Sequence, residues 1–142
     1  MYYLAYGSNL SVKQMSVRCP HAKIIGKAVL KDYRLVFRTH ANIEKHKGSK
    51  VPVIVWDISE KDEKRLDRYE GYPKSYDKKT VEVRMTTLEN KKPKKIQAMI
   101  YVMTKGKEKS PPTWDYFNTI AEGYFNFGFN DSLLLEALAE VV

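Results

Sequence analysis

The chain begins with an apolar segment, a short glycine-containing loop and the start of a helix, in that order. Residues 1–5 are apolar and predict a buried strand. The loop that follows consists of Tyr6, Gly7, Ser8, Asn9 and Leu10. Ser11 and Gln14 then have the spacing of a capping box, which predicts a helix start. This arrangement constrains the fold strongly, because it can point several backbone N–H groups at one spot beside the positive end of a helix.

Two interpretations of the loop follow from its residues. Gly7 allows a ligand to come close to the backbone, and Ser8 and Asn9 add side-chain donors and acceptors. The loop is therefore a candidate site for a small anion or a developing oxyanion. The alternative is an ordinary turn between strand and helix, which the pattern alone favours because short glycine motifs occur often by chance.

Composition limits the class of protein. With 142 residues, 43% of them hydrophobic, residues 1–142 are expected to form a single domain with its own core. The net charge of +8 keeps nucleic acids and acidic ligands among the candidate partners. The single cysteine, Cys19, rules out an intramolecular disulfide. No apolar run reaches the roughly 20 residues that span a bilayer, and no basic segment precedes the N-terminal apolar run. We therefore expect a cytoplasmic protein that does not insert into membranes.

The hydrophobic patterns predict about five or six strands with helices between and after them, an α/β or α+β protein. Beyond residues 1–5, strands are predicted over residues 24–38 (one long or two short), 51–58, 76–88 and 96–104. Helices are predicted over residues 11–18, 60–69, 113–127 and 133–142, with Ser59, Thr113 and Asp131 as caps. Residues 41–50, 90–95 and 105–112 are predicted as loops or turns.

A second candidate is Glu70, at the end of the predicted helix 60–69. Nearby are the tyrosines Tyr69, Tyr72 and Tyr76. The helix dipole and an apolar environment both raise the pKa of a carboxyl group toward the range of general acid–base catalysis. The alternative is a solvated surface acid paired with Arg68 or Lys74, as most acidic residues are on the surface.

Other chemistry-bearing residues give weaker signals. The histidines His21, His40 and His46 have no ligand spacing with Cys19 or with one another, so no metal site is predicted. Nothing near Cys19 would activate its thiol, which predicts a structural role. Tyr76 and Tyr116 follow proline-containing turns, where they either line a polar pocket or pack in the core. The lysines of residues 91–95 are interpreted as a solvated hairpin tip, with phosphate contact as the alternative.

Three segments, in this order, resemble the gamma-glutamylcyclotransferase family. They are the loop of residues 6–10, residues 66–71 followed by Tyr76, and residues 111–116 followed by Ile120, Gly123 and Gly128. Residues 48–58 also resemble the central strand of that family. Each segment alone is weak evidence, but together they cover nearly the whole chain. They reverse the preference for an ordinary turn at residues 6–10 and for a surface acid at Glu70.

The resemblance implies an α+β fold: a small mixed β-barrel of about five or six strands flanked by helices. It implies an enzyme without metal or cofactor that acts on a small-molecule gamma-glutamyl substrate and releases 5-oxoproline and an amine. The acid–base glutamate of the family corresponds to Glu70, and its pocket aromatics correspond to Tyr76 and Tyr116. Its substrate-binding loop corresponds to Tyr6, Gly7, Ser8, Asn9 and Leu10. One departure is Gly128-Phe129-Asn130, where the family often has Gly-Leu-Pro, and this leaves the leaving-group preference open.

Two other functions remain open at this point. One is a binding module of the same fold that has lost turnover, against which Glu70 argues. The other is a basic nucleic-acid-binding domain, although no recognition helix or interleaved aromatic accompanies the lysines, so no nucleic-acid partner is expected. The sequence predicts neither the oligomeric state nor which amine leaves.

Overall fold

The structure is a computed structural model that describes residues 1–87, 89–104 and 107–142. Parts of two predictions lie outside the described residues. These parts are Leu88, at the end of the predicted strand 76–88, and Lys105 and Gly106, at the start of the predicted loop 105–112.

Five strands of the described residues close into a barrel. They are β1 (Tyr2–Ala5), β2 (Lys23–Arg38), β3 (His40–Asp57), β4 (Tyr76–Thr86) and β5 (Lys94–Met103). Their order around the barrel is β1-β3-β2-β4-β5. All neighbours are antiparallel except β1 and β5, which pair in parallel and close the barrel. This mixed barrel with flanking helices confirms the predicted α+β fold.

The barrel interior is filled by alternating apolar side chains, as the strand patterns predict. Val83 and Met85 of β4 are buried, whereas Glu82 and Arg84, which alternate with them, are exposed. The most deeply buried side chains include Leu4, Phe37, Val53, Ile54 and Ile100, all fully excluded from solvent. Burial of such apolar surface is the main stabilising contribution to the fold.

Helices flank the barrel, and local capping explains most of their ends. They are α1 (Val12–Arg18), α2 (Glu60–Glu70), α3 (Trp114–Phe127) and α4 (Ser132–Ala139), with one turn of 3₁₀ helix at Ser8–Leu10. The predicted caps Ser59 and Thr113 accept hydrogen bonds from the amides of Asp62 and Tyr116. Gly71 and Gly128 end α2 and α3 in the left-handed conformation, with φ of 67° and 69°. None of the described helices is long and apolar enough to cross a membrane.

Two capping predictions are wrong in detail. Ser11 caps α1 through the amide of Gln14, but the Gln14 side chain donates to Asn9 Oδ1 instead of returning to Ser11. At α4, Asp131 makes no side-chain cap. The carboxamide oxygen of Asn130 accepts from the amide and hydroxyl of Ser132 in its place.

The prediction of a loop over residues 41–50 is wrong, because β3 begins at His40. β2 and β3 form one long hairpin that turns at Thr39, and its register shifts between Lys31 and Tyr33. Residues 45–48, the polar part of this stretch, are exposed on both faces of the hairpin, and the adjacent Glu44 pairs with Arg38 at 2.6 Å. The predicted turn 90–95 is also shorter, since β5 begins at Lys94.

Candidate active site

A cavity of about 360 Å³ lies where the loop after β1, the start of β3, the end of α2 and the start of α3 meet. Most of the sequence-predicted site residues line it: Tyr6, Gly7, Ser8, Asn9, Glu70, Tyr76 and Tyr116. Leu10 does not. Its side chain is buried in the core against α3, where a Cβ on Gly123 would lie only 2.5 Å from Leu10 Cβ. Leu10 therefore anchors the loop by packing.

The loop that lines this cavity carries backbone donors without a protein acceptor among the described residues. Its 3₁₀ turn is closed by hydrogen bonds from the amides of Leu10 and Ser11 to the carbonyls of Gly7 and Ser8, each at 3.0 Å. Within the described part of the chain, the amides of Gly7, Ser8 and Asn9 donate to no protein acceptor. Clustered N–H groups of this kind suit an oxyanion or a carboxylate.

The side chain of Asn9 holds the loop in place. Although only 2% exposed, it is fully hydrogen-bonded: Nδ2 donates to the Tyr3 hydroxyl at 2.9 Å. Its Oδ1 accepts from Gln14 Nε2 at 3.1 Å and from Arg18 Nη1 at 2.9 Å. Its backbone carbonyl accepts from Trp56 Nε1 at 3.2 Å. Asn9 therefore ties the loop to the barrel and to α1, and its carboxamide is engaged within the protein.

The predicted tyrosines are fixed through backbone groups of distant strands. Tyr6 Oη donates to the carbonyl of Tyr101, and Tyr76 Oη donates to the carbonyl of Ala41, both at 2.7 Å. Tyr116 Oη instead accepts from the Ala41 amide at 3.0 Å, which leaves its own proton to be donated elsewhere. Burial raises the pKa of Tyr116 to about 12, so this hydroxyl stays protonated at neutral pH.

Glu70 is the last residue of α2, and its carboxyl group lines the cavity. Burial is the largest cause that raises the pKa of Glu70, to about 7, while the positive charge of Arg18 opposes the rise. Among the described residues Glu70 makes no ion pair, so it is not the surface acid paired with Arg68 or Lys74 that the alternative required. The direction of the pKa shift is as predicted, and burial rather than the helix dipole is its principal cause.

The aromatic surroundings of Glu70 differ partly from the prediction. Tyr69 and Tyr76 line the cavity with it. Tyr72 does not: the residue is 38% exposed, and its ring centroid lies 4.2 Å from the ammonium of Lys78. Tyr3 of β1 and Tyr101 of β5 line the cavity instead, with their rings packed edge to face on each other.

Several cavity residues could not be identified from the sequence. Arg18 is a half-buried cation at the end of α1, a position where cations are common for reasons of helix stability. His40 lies between the predicted strand 24–38 and the predicted loop 41–50, and its ring contacts that of Tyr116 edge to face. Burial and the charge of Lys107 lower the pKa of His40. Arg68 and Lys107 lie on the exposed side of the same cavity.

Two other predictions concern residues outside this cavity. Cys19 is buried, and burial raises the pKa of its thiol to about 11, which agrees with a structural role. Residues Gly128, Phe129 and Asn130, where the chain departs from the family pattern, do not line the cavity, and Phe129 packs edge to face on Tyr124. In the ranges that the structure describes, no three His, Cys, Asp or Glu side chains converge as metal ligands would.

A family model described as "Gamma-glutamyl cyclotransferase, AIG2-like" matches residues 3–124. The chain belongs to this gamma-glutamyl cyclotransferase family. The match includes the loop after β1, Glu70, Tyr76 and Tyr116, and so most of the cavity described above. It confirms the family resemblance found in the sequence.

Relatives within the gamma-glutamyl cyclotransferase family support the same assignment. The chain is 32% identical over 133 residues to the gamma-glutamylcyclotransferases of mouse and of human, which covers 85% of this chain and 68% of either relative. A solved structure of a gamma-glutamyl cyclotransferase superposes with a TM-score of 0.77 at 28% identity. That superposition covers 99% of this chain and 87% of the other.

Proposed function

We propose that this chain is a gamma-glutamylcyclotransferase, which releases 5-oxoproline and a free amine from a gamma-glutamyl amide. One observation carries the proposal. A carboxyl group with a pKa of about 7, Glu70, lines the same cavity as the unused backbone donors of Gly7, Ser8 and Asn9. The carboxyl group of Glu70 can move a proton at neutral pH, and the backbone amides can stabilise a developing oxyanion.

The reaction needs no nucleophile from the protein. The α-amine of the substrate attacks the side-chain carbonyl of the same glutamyl group, so that a carbon–nitrogen bond closes a five-membered ring. The amide bond to the leaving amine then breaks. Both reacting groups belong to one substrate molecule. A cavity that holds the glutamyl group bent, with its amine close to its side-chain carbonyl, therefore supplies much of the rate. This agrees with the inert environment of Cys19.

Glu70 serves as the proton carrier in this scheme. The α-ammonium first loses one proton to solvent, so that the neutral amine can attack. The Glu70 carboxylate then accepts the proton that this amine loses as the ring closes, and its carboxyl group donates that proton to the departing nitrogen. A pKa of about 7 suits both steps, since the acid and the base form are both populated near neutral pH. No net proton is gained or lost by the enzyme over one turnover.

The other cavity residues bind and orient the substrate. The amides of Gly7, Ser8 and Asn9 bind the carbonyl oxygen as it becomes an oxyanion, and the Tyr116 hydroxyl, which lies near Ser8, provides one more donor. Tyr6 and Tyr76 form part of the wall, each fixed by its bond to a barrel carbonyl. Leu10 contributes through its packing on Gly123, which fixes the loop.

The proposal extends to the setting of the enzyme. Proton transfer by Glu70 and intramolecular attack require neither a metal nor a cofactor, so dialysis against a chelator should leave the rate unchanged. We place the enzyme in the cytoplasm, where a free buried thiol such as Cys19 stays reduced. The proposed partner is a small gamma-glutamyl compound, with no nucleic acid or membrane involved.

The direct test is a panel of gamma-glutamyl compounds incubated with the protein, with 5-oxoproline measured by mass spectrometry. The panel contains gamma-glutamyl amino acids, a gamma-glutamyl isopeptide of lysine, and glutathione, and a sample without enzyme corrects for spontaneous cyclisation. At least one compound should give 5-oxoproline in proportion to enzyme concentration. If none does while some of them bind, the chain is a binding module of this fold and the proposed activity is wrong.

A further inference from the structure

The cavity carries a second charged group that the proton-transfer scheme does not use. Arg18, at the end of α1, is half-buried and lines the cavity together with Glu70. No carboxylate of the described residues lies within 4 Å of its guanidinium. A partly buried guanidinium without an anionic partner is costly unless a ligand supplies the anion.

The guanidinium of Arg18 is held in one position. Nη1 donates to Asn9 Oδ1 at 2.9 Å, and the guanidinium carbon lies 4.4 Å from the centroid of the Tyr69 ring. Asn9 is itself fixed from three sides, by Tyr3, Gln14 and Trp56. Arg68 and Lys107, the other cations of the lining, are exposed side chains. Arg18 is thus pre-organised, with its remaining N–H groups left to donate.

We propose that Arg18 binds the α-carboxylate of the gamma-glutamyl group. The inference rests on the proposed function, in which the α-amine must lie next to Glu70. An α-carboxylate is attached to the same carbon as that amine, so the head group of the substrate has a positive and a negative end side by side. Arg18 and Glu70 are charges of opposite sign that line one cavity, neither of them in an ion pair. The two ends of the head group match them.

This assignment gives Arg18 and the loop amides different parts of the substrate to bind. A guanidinium can bind a carboxylate through two parallel hydrogen bonds, which fixes orientation as well as position. With the carboxylate on Arg18, the amides of Gly7, Ser8 and Asn9 are left for the carbonyl oxygen, where charge develops. Arg18 is then the residue that distinguishes a gamma-glutamyl group from a 4-aminobutanoyl group, which lacks only the α-carboxylate.

Two ligands that cannot cyclise test the inference without turnover. N-glutarylglycine keeps the carboxylate but lacks the amine, and N-butanoylglycine lacks both, so the pair differs only in the group that Arg18 is expected to bind. Titration calorimetry on the wild-type protein should show at least about a 10-fold preference for N-glutarylglycine, as expected for a charge-assisted bond of about 1.5 kcal/mol or more. In Arg18→Gln this preference should disappear, with binding of N-butanoylglycine unchanged.

Matched variants complete the experiment. Arg68→Gln removes an exposed cation of the same cavity and should keep the preference for N-glutarylglycine. Arg18→Met should lose this preference. It is used in place of Arg18→Gln if Arg18→Gln does not fold. Equal affinity of the wild type for the two ligands, or a preference that survives loss of Arg18, would overturn the inference. The panel for 5-oxoproline tests the proposed function separately, since binding of these ligands does not depend on turnover.

Discussion

The hydroxyl of Tyr101 on β5 donates a 2.7 Å hydrogen bond to the Asp67 carboxylate on α2. The other oxygen of Asp67 accepts from the ammonium of Lys78 on β4, at 3.1 Å. Glu70 ends the same helix three residues later, so its position relative to the cavity depends on these contacts between α2 and the barrel. A side chain of the barrel wall thus positions the helix that carries the proposed proton carrier.

Tyr101→Phe should therefore weaken both stability and turnover. Loss of a hydrogen bond to a charged group costs about 1–2 kcal/mol here, since Lys78 still pairs with Asp67. We expect the melting temperature to fall by about 3–7 °C, and turnover to fall by about 3- to 10-fold as the end of α2 loosens. Thermal melts and steady-state rates check this. Tyr33→Phe, on β2 away from the cavity, is the matched control, and an equal loss there would refute the link through α2.

Gly7→Val should block the cavity without unfolding the protein. A Cβ at this position would lie 3.4 Å from Ala41 Cβ and 3.5 Å from Tyr116 Oη, so Gly7→Ala just fits and the two further methyl groups of valine do not. We expect no 5-oxoproline from Gly7→Val, a native circular-dichroism spectrum, and a smaller loss in Gly7→Ala. An active, folded Gly7→Val variant would show that the substrate does not approach this loop.

The hairpin tip should be dispensable. Lys91, Lys92, Lys94 and Lys95 are exposed, and none of them lines the cavity. Their joint replacement by Ser should change turnover by less than about threefold, because surface changes away from a site are usually small in effect. Steady-state kinetics of the fourfold variant is the measurement. A loss above about 10-fold would mean that the basic tip contacts the substrate or a partner.

The buried charge of ionised Glu70 should lower the free energy of unfolding in a defined pH range. In the unfolded chain its carboxyl group ionises near 4.5, but in the folded protein near 7. The folded state therefore holds the proton more tightly, and the penalty for a buried charge grows as the pH rises from about 4.5 to 7. Relative to wild type, Glu70→Gln should be about 1–3 kcal/mol more stable at pH 8 and nearly equal at pH 4. Urea unfolding at both pH values measures this, and a difference independent of pH would contradict the burial of the charge.

Those parts of the fold that depend on residues close together in the sequence could be predicted from it. The caps at Ser59 and Thr113 and the glycine ends at Gly71 and Gly128 follow from local backbone chemistry. The alternation along β4 likewise reflects one buried and one solvated face. The long strand β3 was missed at residues 41–50 because its pairing partner, β2, and not its own composition, makes it a strand.

The candidate site was predicted in part, for a related reason. Family segments identified the loop and Glu70, but the hydrogen bonds that build the cavity join residues far apart in the chain. Ala41, in the segment predicted as a loop, is the backbone partner of both Tyr76 and Tyr116. Arg18 looks like an ordinary helix-ending cation until the structure places it beside Asn9 and Tyr69. Contacts of this kind leave no local signal in the sequence.

The central claim is that Glu70 carries the proton from the α-amine to the leaving nitrogen, and the rate of Glu70→Gln at saturating substrate tests it most directly. The substitution keeps the size of the side chain but cannot accept the proton. The account predicts that 5-oxoproline formation falls by about 10²- to 10⁴-fold, equivalent to roughly 3–5 kcal/mol of barrier. Binding of N-glutarylglycine should stay within about threefold of wild type, since it lacks the amine. A folded Glu70→Gln variant that forms 5-oxoproline at nearly the wild-type rate would contradict the account.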